Sequence, residues 1–421
     1  MTLYYLLLLL ARFHANPWVG ASLFRAGFLM VTPVKIVGGL AIVAALILPR
    51  PDDAAPHKSS PISGMFFLFP VMPILVAAAY GFRIPDEWTS HVVSFALMLI
   101  ATRALVCDAS RMRTAVRVVV FVQILSTYWI FKQHFIQGQD RVTGVEGDPN
   151  YEALSLVIAL PLAVWLARHE ARAFLKRIWV LCLPVMVYAI VLTQSRGGLL
   201  ALAVMAAGSF IRSSHKLGIV AAVMLLLPLA VLVSPQGLTS RLVSTRVSGV
   251  PSNSDEESSR VHFELIRAGL RMTADNALLG VGVGRFPEEV ENYNRELINL
   301  TGRPFIAHNT YLEISAETGL LELALWIAIV AAALVNCRVA RKAAPSDVDE
   351  FAELAVAIQF AIIAYSFVVL FLTAEWVVPF WLIVFLSQNL KEITLARRMS
   401  LFASREPTFQ RLEAPKSLCA A

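Results

Sequence analysis

The one long polar interval of the chain ends in Ala307-His308-Asn309-Thr310-Tyr311-Leu312-Glu313, directly before an apolar run. The interval begins near Ser234, and it contains eight arginines but no lysine. On both sides of it the sequence is mostly apolar. The polar interval therefore divides a set of apolar segments into a long amino-terminal group and a short carboxyl-terminal group.

Composition indicates an integral membrane protein. The chain has 421 residues, of which 57% are hydrophobic and 16% are charged, and its mean hydropathy is +0.66. Soluble domains carry about 25% charged residues. Because hydrocarbon offers no hydrogen-bond partner to open backbone groups, the apolar segments must be helices, and the predicted fold class is all-α.

The net charge of +6 favours contact with the anionic headgroups of membrane lipids. Nucleic acid is not an expected partner, because the basic residues lie in short loops between apolar segments and form no patch. The four cysteines share no CxxC spacing, so the sequence supports neither a disulfide framework nor a zinc site. No other cluster has metal-ligand spacing, and no metal is predicted.

The sequence predicts about 11–12 transmembrane helices, with one large helical loop before the last three. We divide the chain into an amino-terminal bundle at 1–234, an arginine-rich loop at 235–312, carboxyl-terminal spans at 313–390 and a tail at 391–421. A short run at 2–12 is the uncertain twelfth span. The other apolar runs lie at 28–48, 62–80, 89–107, 114–131, 151–167, 178–194, 198–211, 216–234, 316–337, 353–373 and 375–389.

Lysine and arginine in the short loops predict the orientation. They are concentrated in 108–117, 168–177, 338–342 and the tail, which all fall on one side if the spans alternate. That side is predicted to be cytoplasmic, because cytoplasmic loops carry the excess of basic residues. The opposite, outer face then receives three polar segments: the loop at 132–150, the tight turn at 194–198 and the long interval.

Within the long interval, Ser258 or Ser259 is predicted to cap a helix that ends near Thr273. Pro287 is predicted to open a second helix that ends near Leu297. The apolar residues of the first helix recur at helical spacing and so form one face: Val261, Leu265, Ala268 and Met272. The glycine-rich segment 279–284 is not a nucleotide-binding loop, because it lacks the GxGxxG spacing and a βαβ context. It is predicted to be a compact turn between the two helices.

The turn Thr193-Gln194-Ser195-Arg196-Gly197-Gly198 places an arginine at the boundary of two apolar runs. Arg196 either extends to the headgroups or binds an anion, and a guanidinium binds phosphate through two parallel hydrogen bonds. Arg260 and Arg267 lie seven residues apart on one face of the first loop helix. They form either the solvated side of that helix or part of a pyrophosphate clamp.

His308 lies directly before a span, and its ring titrates near neutral pH. It is either an interfacial hydrogen-bonding residue or a general base toward a hydroxyl group. Asp148 and Asn150 form a turn and helix-cap signal at the start of another span. Asp148 is also a candidate acid–base or metal-binding group, although a lone aspartate in a turn is more often structural.

The order of these motifs resembles that of the O-antigen ligase and polymerase family of bacterial envelope glycosyltransferases. The resemblance covers about residues 140–335. The motifs that carry it are Arg141-Val142-Thr143-Gly144, Asp148-Pro149-Asn150, Thr193 to Gly198, Ser259-Arg260, Asn276 to Gly282, and His308-Asn309-Thr310-Tyr311-Leu312 with Gly319-Leu320. The family often has a proline near the position of Ala277, so the geometry of that turn is expected to differ.

The resemblance implies a glycosyltransferase that needs no metal or other cofactor, with its active site on the periplasmic face of the bacterial inner membrane. The donor would be a glycan on undecaprenyl diphosphate. Arg196, Arg260 and Arg267 would bind the diphosphate, and His308 would activate the acceptor hydroxyl. The supporting residues would be Arg141, Asp148, Asn150, Asn309 and Tyr311.

Three acceptors stay open from the sequence: a lipid A core, a growing polysaccharide chain and a protein hydroxyl. A transporter or flippase of lipid-linked glycans is the alternative of a different class, and it would be expected to show internal repeats and broken polar helices. A membrane scaffold without catalysis is a third hypothesis.

Overall fold

The computed structural model describes residues 1–12, 24–26, 29–47, 55, 61–212, 253–294 and 306–403. Helices dominate these residues, and a short antiparallel hairpin pairs β1 (Phe24–Ala26) with β2 (Leu29–Val31). The helices before the long interval are α1 (Thr2–Arg12), α2 (Pro33–Ile47), α3 (Pro61–Leu68), α4 (Val71–Tyr80), α5 (Asp86–Leu105), α6 (Ala109–Phe131), α7 (Pro149–His169), α8 (Ala173–Leu192) and α9 (Arg196–Arg212). The helices within and after it are α10 (Asn253–Asp275), α11 (Phe286–Tyr293), α12 (Thr310–Ala343), α13 (Glu350–Val368) and α14 (Val378–Ala403).

Seven helical segments in the described part of the chain are long and apolar enough to cross a membrane. They confirm the prediction of an α-helical, multi-pass integral membrane protein. The predicted runs at 28–48 and 198–211 correspond to the shorter apolar helices α2 and α9. The run at 216–234 lies outside the described residues, so the total of 11–12 spans stays a prediction. Helix α14 continues through residue 390 to Ala403, so the boundary between spans and tail drawn there is not a helix end.

Helix α7 lies at the centre of the bundle, where it packs against α6, α8, α9 and α13. Its side chains from Ala153 to Ala163 are all buried. Aromatic side chains fill the core between α12, α13 and α14. Trp326 of α12 is fully buried, and its ring contacts the buried rings of Tyr365 in α13 and Trp381 in α14. Dense packing on all sides of α7 and α13 fixes which helix ends are neighbours.

Ion pairs join the segments that were predicted to be cytoplasmic. Arg168 pairs with Glu353 at 3.4 Å, and Arg113, near the start of α6, binds Glu350 at the start of α13. Arg341, near the end of α12, pairs with Asp347 at 3.0 Å. These contacts place the basic loops together at one end of the bundle, as alternating spans require.

The long interval packs onto a break in α12. Gly319 has a left-handed φ of 86°, which interrupts the helix inside an apolar span. The backbone N–H groups of Val281 and Gly282 bond the carbonyls of Ala316 and Glu317 at 2.9 and 2.8 Å, and the N–H of Leu320 bonds back to Ala277 at 2.8 Å. The turn between the loop helices therefore supplies the hydrogen bonds that the broken helix cannot make for itself. Ala277 lies in this turn, where its carbonyl accepts the bond from Leu320.

The loop helices agree in part with the predicted bounds. Leu265, Ala268 and Met272 of α10 are buried, as their spacing predicts. Helix α10 begins at Asn253, earlier than Ser258 or Ser259, because the acidic residues in its first turn favour a helix amino terminus. Helix α11 ends at Tyr293 rather than near Leu297, because Asn294 takes an extended backbone with a φ of −157°.

Replacing Gly280 or Gly319 by alanine is expected to lower the thermal stability of the protein. Each glycine has a left-handed φ, and a Cβ on either would overlap the backbone of the opposite segment. The backbone conformation alone costs about 1–2 kcal/mol for alanine, and the overlap adds to it. Gly147→Ala is the matched control, because its φ is +73° but nothing lies within 4 Å of the added Cβ. Equal melting temperatures for Gly280→Ala and Gly147→Ala in detergent would contradict this account of the loop.

Candidate functional site

Three helices begin at the same end of the bundle, and each begins with a side-chain cap. Asp148, Ser195 and Asn309 precede α7, α9 and α12. Their side-chain oxygens accept hydrogen bonds from backbone N–H groups of the first turns at 2.7, 3.3 and 3.1 Å respectively. The structure thus gives Asp148 and Asn309 a capping role, which is the structural alternative considered for Asp148.

The turn before α9 contacts the loop before α7 directly. The hydroxyl of Ser195 donates to Oδ1 of Asn150 at 2.9 Å. Nε of Arg141 donates to the carbonyl of Thr193 at 3.4 Å. Two motifs that lie about 45 residues apart in the sequence therefore form one surface, as the orientation of the spans predicted.

The connection between α13 and α14, residues 369–377, joins this surface to the histidine motif. Thr310 donates from its backbone to the carbonyl of Val369 at 2.9 Å and from its hydroxyl to the carbonyl of Leu372 at 2.8 Å. A Cβ built on Gly197 would lie 3.4 Å from Val368, the last residue of α13. The Arg196 turn and the His308 turn therefore lie against the same short segment. We call residues 368–377, which are this segment and the last residue of α13, the central connection.

Two residues in these turns hold a strained backbone. Gln194 and His308 have positive φ angles of 51° and 49°, and they are the non-glycine residues with this conformation in the described ranges. A left-handed backbone is uncommon outside glycine, and such strain is concentrated at functional sites. The two strained positions immediately precede the first turns of α9 and α12, where the candidate phosphate ligand and the candidate base lie.

Arg196 is exposed and is the first residue of α9, followed by two glycines. Backbone N–H groups and the helix dipole at this position favour an anion, and the guanidinium adds a full positive charge. Arg267 is 56% exposed on the surface of α10, where it pairs with Glu264 at 3.4 Å. Arg260 lies in α10, and its side chain is outside the described part of the structure. The contacts thus bring together Arg141, Asn150 and the Arg196 and His308 turns, whereas Arg267 is engaged elsewhere.

Tyr311, the last of the supporting residues, donates its hydroxyl to the carbonyl of Ser366 at 3.1 Å. Tyr151, which the sequence analysis did not select, donates to the carbonyl of Thr373. Both tyrosines therefore hold α13 and the central connection in place.

Sequence reasoning missed a set of carboxylates beneath these turns. Glu317 accepts hydrogen bonds from the backbone of Gly284 at 2.7 Å and of Phe286 at 2.9 Å, so it fixes the long loop to α12. Glu313 accepts a hydrogen bond from the hydroxyl of Thr373 in the central connection. The available signal was the presence of three glutamates, at 313, 317 and 322, in the first half of an apolar span. Among the residues that the structure describes, no group of three His, Cys, Asp or Glu side chains is arranged to hold a metal ion.

Residues 181–327 match the family model described as O-antigen ligase. These residues belong to the O-antigen ligase family. The match confirms the resemblance drawn from the motifs. It includes both the Arg196 turn and the His308 turn, and it extends through the break in α12. No curated protein matches the chain.

The match of residues 181–327, together with the apolar helices, supports a multi-pass membrane protein of O-antigen ligase type. The family indicates glycosyltransferase-type activity in general, acting on lipid-linked glycan and acceptor substrates.

Glu375 of the central connection is expected to make stability pH-dependent. Burial raises the pKa of its carboxyl above the ordinary value of about 4.5, and Oε2 has no hydrogen-bond partner. Because the folded state holds this proton more tightly than the unfolded chain, its stabilising contribution is lost as the pH rises through the raised pKa. Glu375→Gln should therefore lose less stability than the parent as the pH increases above about 4.5.

The measurement is the difference in melting temperature between the parent and Glu375→Gln across a pH series. Glu313 and Glu317 interact electrostatically with Glu375, so the difference includes the change that Glu375→Gln causes in their titration. Glu291→Gln, at an exposed position, is the control. A constant difference across the series would contradict the raised pKa.

Proposed function

We propose that the protein transfers a glycan from undecaprenyl diphosphate to an acceptor hydroxyl at the periplasmic face of the bacterial inner membrane. The observation that carries the proposal is the meeting of the Arg196 turn and the His308 turn at the central connection. One turn offers positive charge at a helix amino terminus, and the other offers an imidazole. Glycosyl transfer from a diphosphate carrier needs these two functions.

Arg196 would stabilise the leaving group. In the reaction, the bond between the anomeric carbon and the diphosphate oxygen breaks, and its electron pair leaves with the lipid diphosphate. Negative charge therefore develops on the diphosphate, where fixed donors stabilise the transition state more than the ground state. The first turn of α9 and the Arg196 guanidinium form such a fixed set, and Arg260 would complete it from α10.

His308 would act on the acceptor. The oxygen of the acceptor hydroxyl forms the new bond to the anomeric carbon, and a neutral imidazole takes the proton that the hydroxyl loses. The neighbouring cap of Asn309 and the backbone bond from Thr310 to Val369 hold the start of α12, and so the backbone next to His308, against the central connection. The acceptor is a lipid A core, a growing polysaccharide or a protein, and the transfer chemistry is the same for all three.

Arg196→Ala is expected to lower kcat/KM for glycan transfer by about 10²–10³-fold, as for other losses of a transition-state donor. His308→Asn is expected to lower it by about 10²–10⁴-fold, because asparagine tolerates the left-handed backbone but cannot act as a base. The assay follows transfer from a polyprenyl-diphosphate glycan to an acceptor, with purified protein in nanodiscs and without nucleotide.

Arg83→Ala is the matched control for this assay. Arg83 is 76% exposed, and it pairs with Asp86, the first residue of α5. Its activity should equal that of the parent. Transfer that survives both Arg196→Ala and His308→Asn would contradict the proposed site.

The periplasmic orientation can be tested by labelling single cysteines in a cysteine-free background. Gln139→Cys lies in the exposed loop before α7. It should react with an impermeant maleimide in intact spheroplasts, which expose the periplasmic face of the inner membrane. Arg172→Cys, exposed in the loop between α7 and α8, should react only after the membrane is permeabilised. The reverse pattern would place the candidate site in the cytoplasm.

A further inference from the structure

A cavity of about 210 Å³ lies beneath the central connection, between the α3–α4 segment, the start of α5 and the first half of α12. One water molecule needs roughly 10–15 Å³ by the same kind of measure, so the cavity has room for a larger molecule. Four of the described glutamates line the cavity: Glu313, Glu317, Glu322 and Glu375. The lining also includes the aromatic side chains of Trp88, His91 and Trp376.

Two carboxylates in this cavity lack partners. Glu322 is 1% exposed, and neither of its carboxylate oxygens has a hydrogen-bond partner. Oε2 of Glu375 is also buried without a partner. Burying polar atoms without hydrogen bonds is unfavourable in an apolar environment, and such atoms are rare in folded proteins. Both glutamates are therefore positioned to accept hydrogen bonds from a bound molecule.

The chemistry of the wall selects the class of that molecule. Among the residues that the structure describes, the lining includes no lysine or arginine, so this wall does not fit a phosphate or diphosphate. The carboxylates are spread along the wall, and no three of the described ligand-type side chains converge as a metal site requires. What remains is a neutral molecule with several hydroxyl donors.

The aromatic side chains add a second requirement. The rings of Trp88 and Trp376 lie with centroids 5.9 Å apart at an angle of 89°, and Trp376 stacks on His91 at 6.1 Å. An indole has a negative face, which attracts the weakly positive C–H groups on the flat side of a sugar ring. Hydroxyl groups on the edge of the same ring would form hydrogen bonds with the buried carboxyl groups, which otherwise have unsatisfied oxygens.

We infer that this cavity is a binding subsite for one pyranose ring of the glycan substrate, with Glu322 and Glu375 accepting its hydroxyls and Trp88 and Trp376 packing on its face. The inference rests on the proposed function for its choice of a glycan, but binding at the subsite does not depend on transfer. Glu313 connects the two sites, because it lines the cavity and also accepts a hydrogen bond from Thr373 in the central connection.

The test is saturation-transfer NMR on the full-length protein in nanodiscs. The probes are the methyl glycosides of D-glucose, D-galactose and N-acetyl-D-glucosamine, each titrated without donor lipid. At least one should give a saturable signal from its ring protons. Glu322→Gln replaces the carboxyl group by an amide, so one oxygen that can bond the sugar is lost, and binding should weaken by about tenfold. Glu288→Gln, at a 72% exposed carboxylate, should leave the affinity unchanged.

Trp88→Leu provides a second variant if Glu322→Gln does not fold, and it should also weaken binding. No saturable signal from any of the three glycosides in the parent would overturn the inference, as would parent affinity in a folded Glu322→Gln or Trp88→Leu variant. Calcium chloride or methylammonium chloride is added in separate titrations. If either salt raises the melting temperature of the parent and no sugar gives a saturable signal, the cavity is a cation site instead.

Transfer kinetics then separate this inference from the proposed function. A higher KM for the acceptor in Glu322→Gln places the acceptor's ring in the cavity, and a higher KM for the donor places the donor's ring there. Sugar binding in a protein that transfers no glycan would support the subsite and oppose the proposed transfer. Transfer without sugar binding would oppose the subsite alone.

Discussion

The break in α12 at Gly319 is the feature on which the arrangement of the site depends. A helix that is interrupted inside an apolar span exposes backbone groups that lipid cannot satisfy. The turn at 276–286 satisfies them, through backbone hydrogen bonds and through the Glu317 carboxylate. This turn thereby holds α10 and α11 on the end of the bundle where α7, α9 and α12 begin. The described part of the polar interval is therefore joined to the membrane domain, and it shares a second hydrophobic cluster with the first turns of α12.

The central connection is the second feature that fixes the arrangement of the site. It receives hydrogen bonds from Thr310 and Tyr151, and its helical end contacts Gly197. The Arg196 turn and the His308 turn are thus fixed relative to each other by a segment that contains neither. Arg141 and Arg196 lie at this end of the bundle, and carboxyl groups line the cavity beside it. This arrangement suits a substrate with an anionic carrier and an uncharged sugar.

Much of the fold could be predicted from local signals. Apolar runs placed most helices, Asp148 was recognisable as a cap, and the spacing in α10 gave its buried face. The central connection could not be predicted, because it acts through contacts between residues far apart in sequence and its own sequence has no motif. The cavity was missed for the same reason: Trp88 and Glu322 approach each other only after the helices pack. The break at Gly319 could not be predicted, because the sequence shows a glycine within a motif but not its backbone conformation.

The most direct test of the account is a cryo-EM structure of the protein in nanodiscs with undecaprenyl diphosphate. The account predicts that the diphosphate lies at the first turn of α9, in contact with Arg196 and within reach of His308 across the central connection. A diphosphate bound at the opposite end of the bundle, among the basic residues near Arg113 and Arg168, would contradict it.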